Sequence, residues 1–130
     1  MHNNQLIAAS LFGGSAVALG AFGAHGLAKL TADTSILHGF ETAVQYQLYH
    51  AITLLFVGLW AERNPGKWLK WASICFIAGI VLFSGSLYLL TFLKIQESNG
   101  VKFVGPVTPV GGLLFIIGWL FLLITALRRN

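Results

Sequence analysis

The stretch WASICFIAGIVLFSGSLYLLTF, residues Trp71–Phe92, decides the fold. It continues for 22 residues without a single charged side chain. A helix that crosses the hydrocarbon core of a bilayer needs about 20 predominantly apolar residues. The stretch therefore predicts a membrane-spanning helix, and three further segments of the chain are of the same kind.

The four predicted spans are residues 6–27, 41–61, 68–92 and 107–127. The 130-residue chain is 56% hydrophobic and 9% charged, with a mean hydropathy of +0.77. About a quarter of the residues of a soluble domain are charged, so this chain has too few charges to cover a water-facing surface. No segment alternates as barrel strands do. We predict an all-α integral membrane bundle of four transmembrane helices in one domain, residues 1–130.

The distribution of basic residues predicts the orientation. We expect the first span to be retained, because Met1–Gln5 carries no Lys or Arg and the apolar run is longer than that of a signal peptide. No arginine precedes Arg63, which argues against a mitochondrial presequence. With four spans, one side of the membrane holds Arg63, Lys67, Lys70, Arg128 and Arg129, and the other holds Lys29, Lys94 and Lys102. The positive-inside rule then places both termini in the cytoplasm.

The net charge of +4 and the pI of about 9.6 do not predict nucleic-acid binding. The basic residues lie in short loops beside spans, where topology and anionic headgroups account for them. We therefore expect membrane lipids as partners. The single cysteine, Cys75, excludes an intramolecular disulfide and a paired-cysteine metal site.

Small residues form a broad face on the first span, and bulky residues lie opposite. Such a face allows close contact between helices in lipid, so we expect it to pack against another helix while Leu11, Phe12, Leu19 and Phe22 meet lipid. The small face comprises Ala9, Ser10, Gly13, Gly14, Ala16, Val17, Gly20, Ala21, Gly23 and Ala24.

The segment ETAVQYQLYHAIT, Glu41–Thr53, carries the most polar face of any span. A helical wheel gathers Glu41, Thr42, Gln45, Tyr46, Tyr49, His50 and Thr53 over about half the circumference. Gln47 and Ile52 fall outside this pattern. Polar and charged groups near the bilayer centre cost roughly 2–4 kcal/mol each, so the face is expected to meet the bundle interior, a wet cavity or another subunit.

Loop residues indicate where helices begin. Asp33, Thr34 and Ser35 are candidate N-caps of the second helix. Gly105–Pro106 predicts a turn, and Thr108–Pro109 predicts an N-cap followed by proline at the first helical position. Trp60, Trp68 and Trp71 are expected to be interfacial anchors.

Three interpretations of the polar residues remain open. His25, His38 and Glu41 could converge on a metal, although no HxxxH or HExxH spacing supports this. His50 could belong to a proton or solute pathway, because intramembrane ionisable groups build such pathways. The polar groups could also only bond to one another and fix helix packing. Ser84 and Ser86 have no histidine or acid nearby in sequence, so we expect neither an enzyme nor a cofactor.

Four phrases carry a family resemblance: GAFGAHGL, TAVQYQLYHA, LFSGSLYLL and GPVTPVGGLLFIIGW. They resemble, in the same order, the signature stretches of the transmembrane protein 256 family, which is also filed as domain of unknown function 423. The resemblance implies a small four-helix inner or plasma membrane protein and implies no activity.

The sequence therefore predicts a polar pocket in the outer half of the bundle. Its candidate residues are His25, Glu41, Gln45, Tyr46, Tyr49, His50, Ser84 and Ser86. The expected function is to bind or pass a small solute, ion or lipid headgroup. The alternative is a non-catalytic structural or assembly module, and a homo-oligomer is compatible with either.

Overall fold

The computed structural model describes residues 2–129, and within that range the chain is helical with no strand. Prediction of an all-helical protein is confirmed. In chain order the helices are α1 (His2–His25), α2 (Thr34–Arg63), α3 (Lys67–Gly79), α4 (Gly85–Ile95), α5 (Val101–Val104) and α6 (Val107–Arg128). A 3₁₀ turn, Leu27–Lys29, follows α1, and one segment of π-helix, Ile80–Ser84, joins α3 to α4 without a break.

Three helical segments are long and apolar enough to cross a membrane: Asn3–Lys29, Lys67–Ile95 and Val101–Arg128. Helix α2 is not among them, although its 30 residues correspond to about 45 Å. Its polar residues, including Gln45, Gln47 and His50, lower its hydropathy. The structure therefore establishes three candidate spans and a fourth long helix that packs with them.

Helix α2 lies between the other helices. It packs along α1 on one side and against α3, the π segment and α4 on another, while α6 packs on α3 and the π segment. Two glycines of α1 make the contact with α2 close. A Cβ at Gly23 would lie 2.8 Å from the Phe40 ring, and one at Gly20 would lie 3.3 Å from Val44.

The expected division of α1 into a packed small face and a lipid-facing bulky face is only half right. Ala9 and Ala16 are buried against the bundle, but Ser10, Gly14 and Val17 are exposed in the single chain. The bulky Phe12 and Leu19, expected to meet lipid, are instead partly buried. The buried and partly buried stripe runs through positions 5, 6, 8, 9, 12, 13, 16, 19, 20 and 23, so it mixes small and bulky residues, and α2 is the one long helix that α1 packs along.

The hydrophobic core fills the space between α2, α3 and α6. Its buried members are Val57, Leu69, Ala72, Phe76, Ile80 and Phe115. Two glycines leave room for the phenylalanine rings of this core. A Cβ at Gly118 would lie 2.7 Å from the Phe76 ring, and a Cβ at Gly79 would overlap the Phe115 ring. The phenylalanines of α3 and α6 thus each occupy space left by a glycine of the other helix.

The helix starts agree with the sequence at α2 and differ at α6. Asp33 caps α2 by accepting hydrogen bonds from the Ser35 backbone N–H at 2.9 Å and the Ser35 hydroxyl at 2.8 Å. These bonds, the hydroxyl first, lower the pKa of the Asp33 carboxyl. The predicted cap at Thr108 is wrong: α6 begins at Val107, and Gly105–Pro106 form the turn. The Thr108 hydroxyl instead forms a hydrogen bond with the Ser86 hydroxyl of α4.

Candidate functional site

The candidate site is built where α6 crosses the π segment. Glycine at position 111 lets the helices touch backbone to backbone, because a Cβ there would overlap the backbone of Phe83 and Leu82. A π-helical turn inserts one residue into the helix, and such turns often occur at functional sites. Here it holds the Phe83 ring against Tyr46 and Phe115, with ring centroids 4.7 and 5.5 Å apart.

His50 lies at the floor of this site and is buried. Its Nδ1 is 2.7 Å from the carbonyl oxygen of Tyr46, so Nδ1 must carry the hydrogen and donate. Its Nε2 is then the acceptor for the indole N–H of Trp119, at 3.2 Å. Both ring nitrogens of a neutral His50 are therefore satisfied. A second proton at Nε2 would face the Trp119 N–H, donor against donor.

Aromatic rings surround the imidazole. The Phe115 ring stacks on His50 with centroids 3.6 Å apart and planes 8° from parallel. Phe76 and Trp119 approach it from other sides, at 5.6 and 6.1 Å. Tyr46 lies one turn earlier on α2, with its ring nearly parallel to the imidazole at 6.1 Å.

An open pocket of about 560 Å³ lies over His50. Exposed side chains of α2 and α6 form its mouth, among them Tyr46, Leu113, Ile116 and Trp119. None of the described residues that line it is charged. The pocket therefore offers aromatic and aliphatic walls, the Tyr46 hydroxyl, and one polar pair, in which the indole of Trp119 reaches from the mouth to His50 at the floor.

The structure separates the predicted site residues into two groups. His50, Ser84 and Ser86 are buried. The other five, His25, Glu41, Gln45, Tyr46 and Tyr49, are exposed in the single chain. Of these, only Tyr46 lines the pocket with His50. The pocket over His50 therefore gathers two of the eight predicted residues, His50 and Tyr46.

The buried serines bond within the bundle and do not line the pocket. Ser84 donates to the carbonyl oxygen of Ala43 on α2 at 2.7 Å. Ser86 donates to the carbonyl oxygen of Phe83 at 2.9 Å, and its oxygen is 2.6 Å from the hydroxyl of Thr108 on α6. These bonds tie the π segment and the start of α4 to both neighbouring helices.

The central polar residue of the bundle is Gln47, which the helical wheel excluded from the polar face. Its amide nitrogen donates to the Phe12 carbonyl at 2.9 Å and to the Ser15 hydroxyl at 2.8 Å, both on α1. Its amide oxygen accepts from the Tyr88 hydroxyl on α4 at 2.6 Å. The signal available in the sequence was the position of Gln47 on the helical wheel, where it lies among the apolar residues Val44 and Ala51, opposite the polar face.

A second interhelical bond was also missed by the sequence reasoning. The amide nitrogen of buried Gln5 donates to the hydroxyl of Ser73 on α3. Ser73 in turn donates to the carbonyl oxygen of Leu69 at 2.9 Å. The bond joins the start of α1 to α3, which lies far away in sequence.

The metal interpretation finds no site. Across residues 2–129, no three His, Cys, Asp or Glu side chains come close enough to hold a metal ion. His25, His38 and Glu41 are exposed and do not form such a group.

Comparison with known proteins places the chain in a family. A family model described as "Protein of unknown function (DUF423)" matches residues 19–112. The chain belongs to the DUF423 family. This confirms the resemblance found in the four sequence phrases.

Relatives of this DUF423 chain are named as membrane proteins. A UPF0382 membrane protein of Staphylococcus aureus is 42% identical over 113 residues, covering 87% of this chain and 86% of the relative. The UPF0382 membrane protein YwdK of Bacillus subtilis is 42% identical over 114 residues, 87% of each chain. The UPF0382 inner membrane protein YgdD of Escherichia coli is 38% identical over 124 residues, 95% of this chain and 89% of the relative. No solved structure matches.

These comparisons establish that the DUF423 chain is a membrane protein, as the sequence predicted. The family match includes His50, Phe83 and Gly111, whereas Phe115 and Trp119 lie beyond its last residue. The names of the relatives state a location in the membrane and state no ligand or reaction.

Proposed function

We propose that the His50 pocket binds a small, largely apolar molecule that reaches it from the lipid phase, and that the protein is not an enzyme. The observation that carries the proposal is an open pocket of about 560 Å³ with a buried histidine at its floor. Ligand sites in proteins measure about 300–1,000 Å³ and combine apolar walls with a few polar groups. The pocket has this size and this composition.

The lining narrows the class of ligand that the sequence left open. An ion or strongly polar solute would need charged or multiple polar groups in place of its water, and the pocket offers aromatic rings, Pro109 and aliphatic side chains. His50 already uses both nitrogens, which argues against proton transfer along this face. A largely apolar molecule fits best, because the His50–Trp119 pair is already satisfied and the Tyr46 hydroxyl is the group of the lining that could bond a single polar group.

The proposal includes a membrane placement in which α2 is the fourth span. At about 45 Å, α2 is longer than the hydrocarbon core of about 30 Å, so its polar first turns can lie outside the core. Burial of Gln47 and His50 inside the bundle removes two of its polar groups from lipid. Four spans put both termini on the same side of the membrane, and the excess of basic residues on that side makes it the cytoplasm. A reporter fused to the C-terminus tests this orientation, and an external C-terminus would contradict it.

A purely structural role is the second candidate, and a specific observation favours it. The interior polar groups pair with one another, Gln47 with Tyr88 and Ser86 with Thr108, and Gln47 also bonds to the exposed Ser15 of α1. Such bonds between helices constrain geometry more than they stabilise it. On this reading the pocket is a gap filled by lipid without preference.

Photolabelling distinguishes the two candidates. The probe is a fatty acid with a diazirine in its acyl chain, incorporated into liposomes with the protein and mapped by mass spectrometry of peptides. Binding predicts labelling concentrated on the peptides of Tyr46, Phe83 and Ile116, beyond the labelling of other exposed side chains.

A matched pair of variants on α6 tests whether the pocket is responsible. Leu113 lies at the mouth and is 57% exposed, and Leu123 lies outside the pocket and is 53% exposed. Leu113→Trp fills the mouth and should reduce labelling at Tyr46, whereas Leu123→Trp should leave it unchanged. Equal labelling of all lipid-facing residues, or equal effects of both variants, would favour the structural role.

A further inference from the structure

The net charge of the protein is concentrated at one end of the bundle. One end of the bundle is where α2 ends, α3 begins and α6 ends. It carries one acidic residue, Glu62, and five basic ones, for a net charge of +4. The basic residues are Arg63, Lys67, Lys70, Arg128 and Arg129. The opposite end has three basic residues, Lys29, Lys94 and Lys102, against three acidic ones, Asp33, Glu41 and Glu97. The whole formal charge of +4 therefore belongs to the first of these ends, which we call the basic end.

A pocket of about 560 Å³ lies at the basic end, between the last turns of α2 and the last residues of α6. Its polar wall consists of Arg63, Asn64 and Arg129, with Glu62 as the one acidic residue among them. Two guanidinium groups and an amide are donors that suit the oxygens of a phosphate, and arginine binds such groups through paired N–H donors.

Aromatic contacts hold the arginines of the C-terminal segment in place. The Arg129 guanidinium lies 5.8 Å from the centre of the Trp60 ring, and that of Arg128 lies 5.1 Å from the Trp68 ring. A cation–π contact uses the charge of the guanidinium and leaves its N–H groups free to donate. Arg129 is therefore positioned without losing its capacity to bind an anion.

Further donors adjoin the pocket. Asn64 and Arg129 also line a smaller neighbouring cavity of about 170 Å³ at the start of α3, where Gly66 provides no side-chain cap. The indole N–H groups of Trp60 and Trp68 are buried without an acceptor among the described residues. These indole groups are closed off from the surface, so the donors that a ligand can reach in the pocket are those of Arg63, Asn64 and Arg129.

The second wall of the pocket is apolar. Phe56 and Leu59 line it and are 66% and 46% exposed. They precede Arg63 by seven and four residues on α2, so they lie on the same face of the helix. In the placement proposed above, this wall runs from the headgroup level into the hydrocarbon.

We propose that the basic end is a binding site for an anionic phospholipid. Arg63 and Arg129 bind the headgroup phosphate, and an acyl chain lies along Phe56 and Leu59. The arrangement of charge above an exposed apolar wall matches an amphiphile and distinguishes it from a free phosphate ion. The residues of this site are separate from those of the His50 pocket, so either site can exist without the other.

The test uses the full chain in detergent and measures lipid binding by native mass spectrometry. Dioctanoyl phosphatidylglycerol is the anionic probe, dioctanoyl phosphatidylcholine is the zwitterionic one, and inorganic phosphate is a competitor. The site variant is the double substitution Arg63→Gln with Arg129→Gln. The matched control is Lys67→Gln with Lys70→Gln, which removes the same charge from the same end but outside the pocket.

The wild-type protein should bind phosphatidylglycerol more tightly than phosphatidylcholine. Since each basic residue near an anionic lipid contributes roughly fivefold in affinity, the site variant should lose about 25-fold for phosphatidylglycerol. The lysine variant removes the same charge without a contact in the pocket, so it should lose much less than the arginine variant, and inorganic phosphate should not displace the lipid.

Two results would overturn the proposal. Equal losses of phosphatidylglycerol affinity in the arginine and lysine variants would mean that the lipid responds to the overall positive charge of this end and not to a site. Displacement of the lipid by inorganic phosphate would mean a site for a free anion. All four substituted side chains are exposed, so we expect the variants to fold. If the glutamine variant unfolds on heating much earlier than wild type, Arg63→Lys with Arg129→Lys keeps the charge and loses the paired donors; unchanged lipid affinity in it would contradict the phosphate contact.

Discussion

Substitution of Gly111 by alanine tests the contact between α6 and the π segment. The added Cβ would lie 2.7 Å from the Cα of Phe83 and 2.8 Å from the carbonyl carbon of Leu82. These are backbone atoms, so the two helices must separate. Overpacking of this kind typically costs 1–3 kcal/mol, and we expect Gly111→Ala to cost about 3 kcal/mol because no side chain can rotate away. Alanine is about 1 kcal/mol more favourable than glycine within a helix, so the net loss in the free energy of unfolding is about 2 kcal/mol.

Gly112→Ala is the matched control. It lies one residue further on the same helix, and its Cβ would meet only the Phe83 ring at an ordinary distance of 3.7 Å. It should gain the same helix propensity, about 1 kcal/mol, without the overlap.

The assay is thermal unfolding of both variants in one detergent. The expected difference of about 3 kcal/mol corresponds to a gap in Tm of about 9–15 °C, at about 3–5 °C per kcal/mol for a chain of this size. Gly111→Ala should also reduce photolabelling at the His50 pocket, because Phe83 forms part of its lining. Equal Tm values for the two variants would refute the backbone contact.

Two further predictions concern the bonds that join helices and begin them. Gln47→Leu removes three hydrogen bonds, and at about 0.6 kcal/mol each it should lower the free energy of unfolding by about 2 kcal/mol. Tyr88→Phe should cost less, and the double variant should cost less than the sum, as measured by denaturation in mixed micelles; strict additivity would contradict the Gln47–Tyr88 bond. Ser35→Ala should raise the pKa of the Asp33 carboxyl towards its ordinary value of 3.8, because the Ser35 hydroxyl is the largest cause of its depression. Since this pKa is lowered on folding, the ionised cap contributes above pH 3.8 and is lost as the pH falls through the lowered value; NMR titration of Asp33 checks this, and an unchanged pKa in the variant would contradict it.

The helical architecture was predictable from the sequence because it depends on local composition. Long apolar runs separated by charged loops indicate helices in a membrane, and Asp33 before a polar–apolar transition indicates a helix start. Each of these signals lies within a few residues of the feature that it predicts.

The interior of the site was not predictable, because it depends on contacts between distant segments. Ile80–Ser84 is as apolar as its neighbours, and its π geometry accompanies the close approach of Gly111 on another helix. Gln47 finds its partners on α1 and α4, which a wheel drawn for α2 alone cannot show.

The exposed residues of α2 show a second limit of the sequence reasoning. The cost of polar groups in lipid predicted that Glu41, Gln45 and Tyr49 meet the bundle interior, a wet cavity or another subunit, and their exposure in the single chain argues against the first of these. Since α2 is longer than the core is thick, Glu41, in its third turn, can lie at headgroup level.

The central claim is that the His50 pocket is open to lipid and holds a ligand. A high-resolution structure of the protein in a lipid nanodisc tests it most directly. We predict non-protein density between Tyr46, Ile116 and Trp119, in contact with the His50–Trp119 pair at the floor. A pocket closed by its own aromatic side chains, or filled by a second copy of the chain, would contradict the claim.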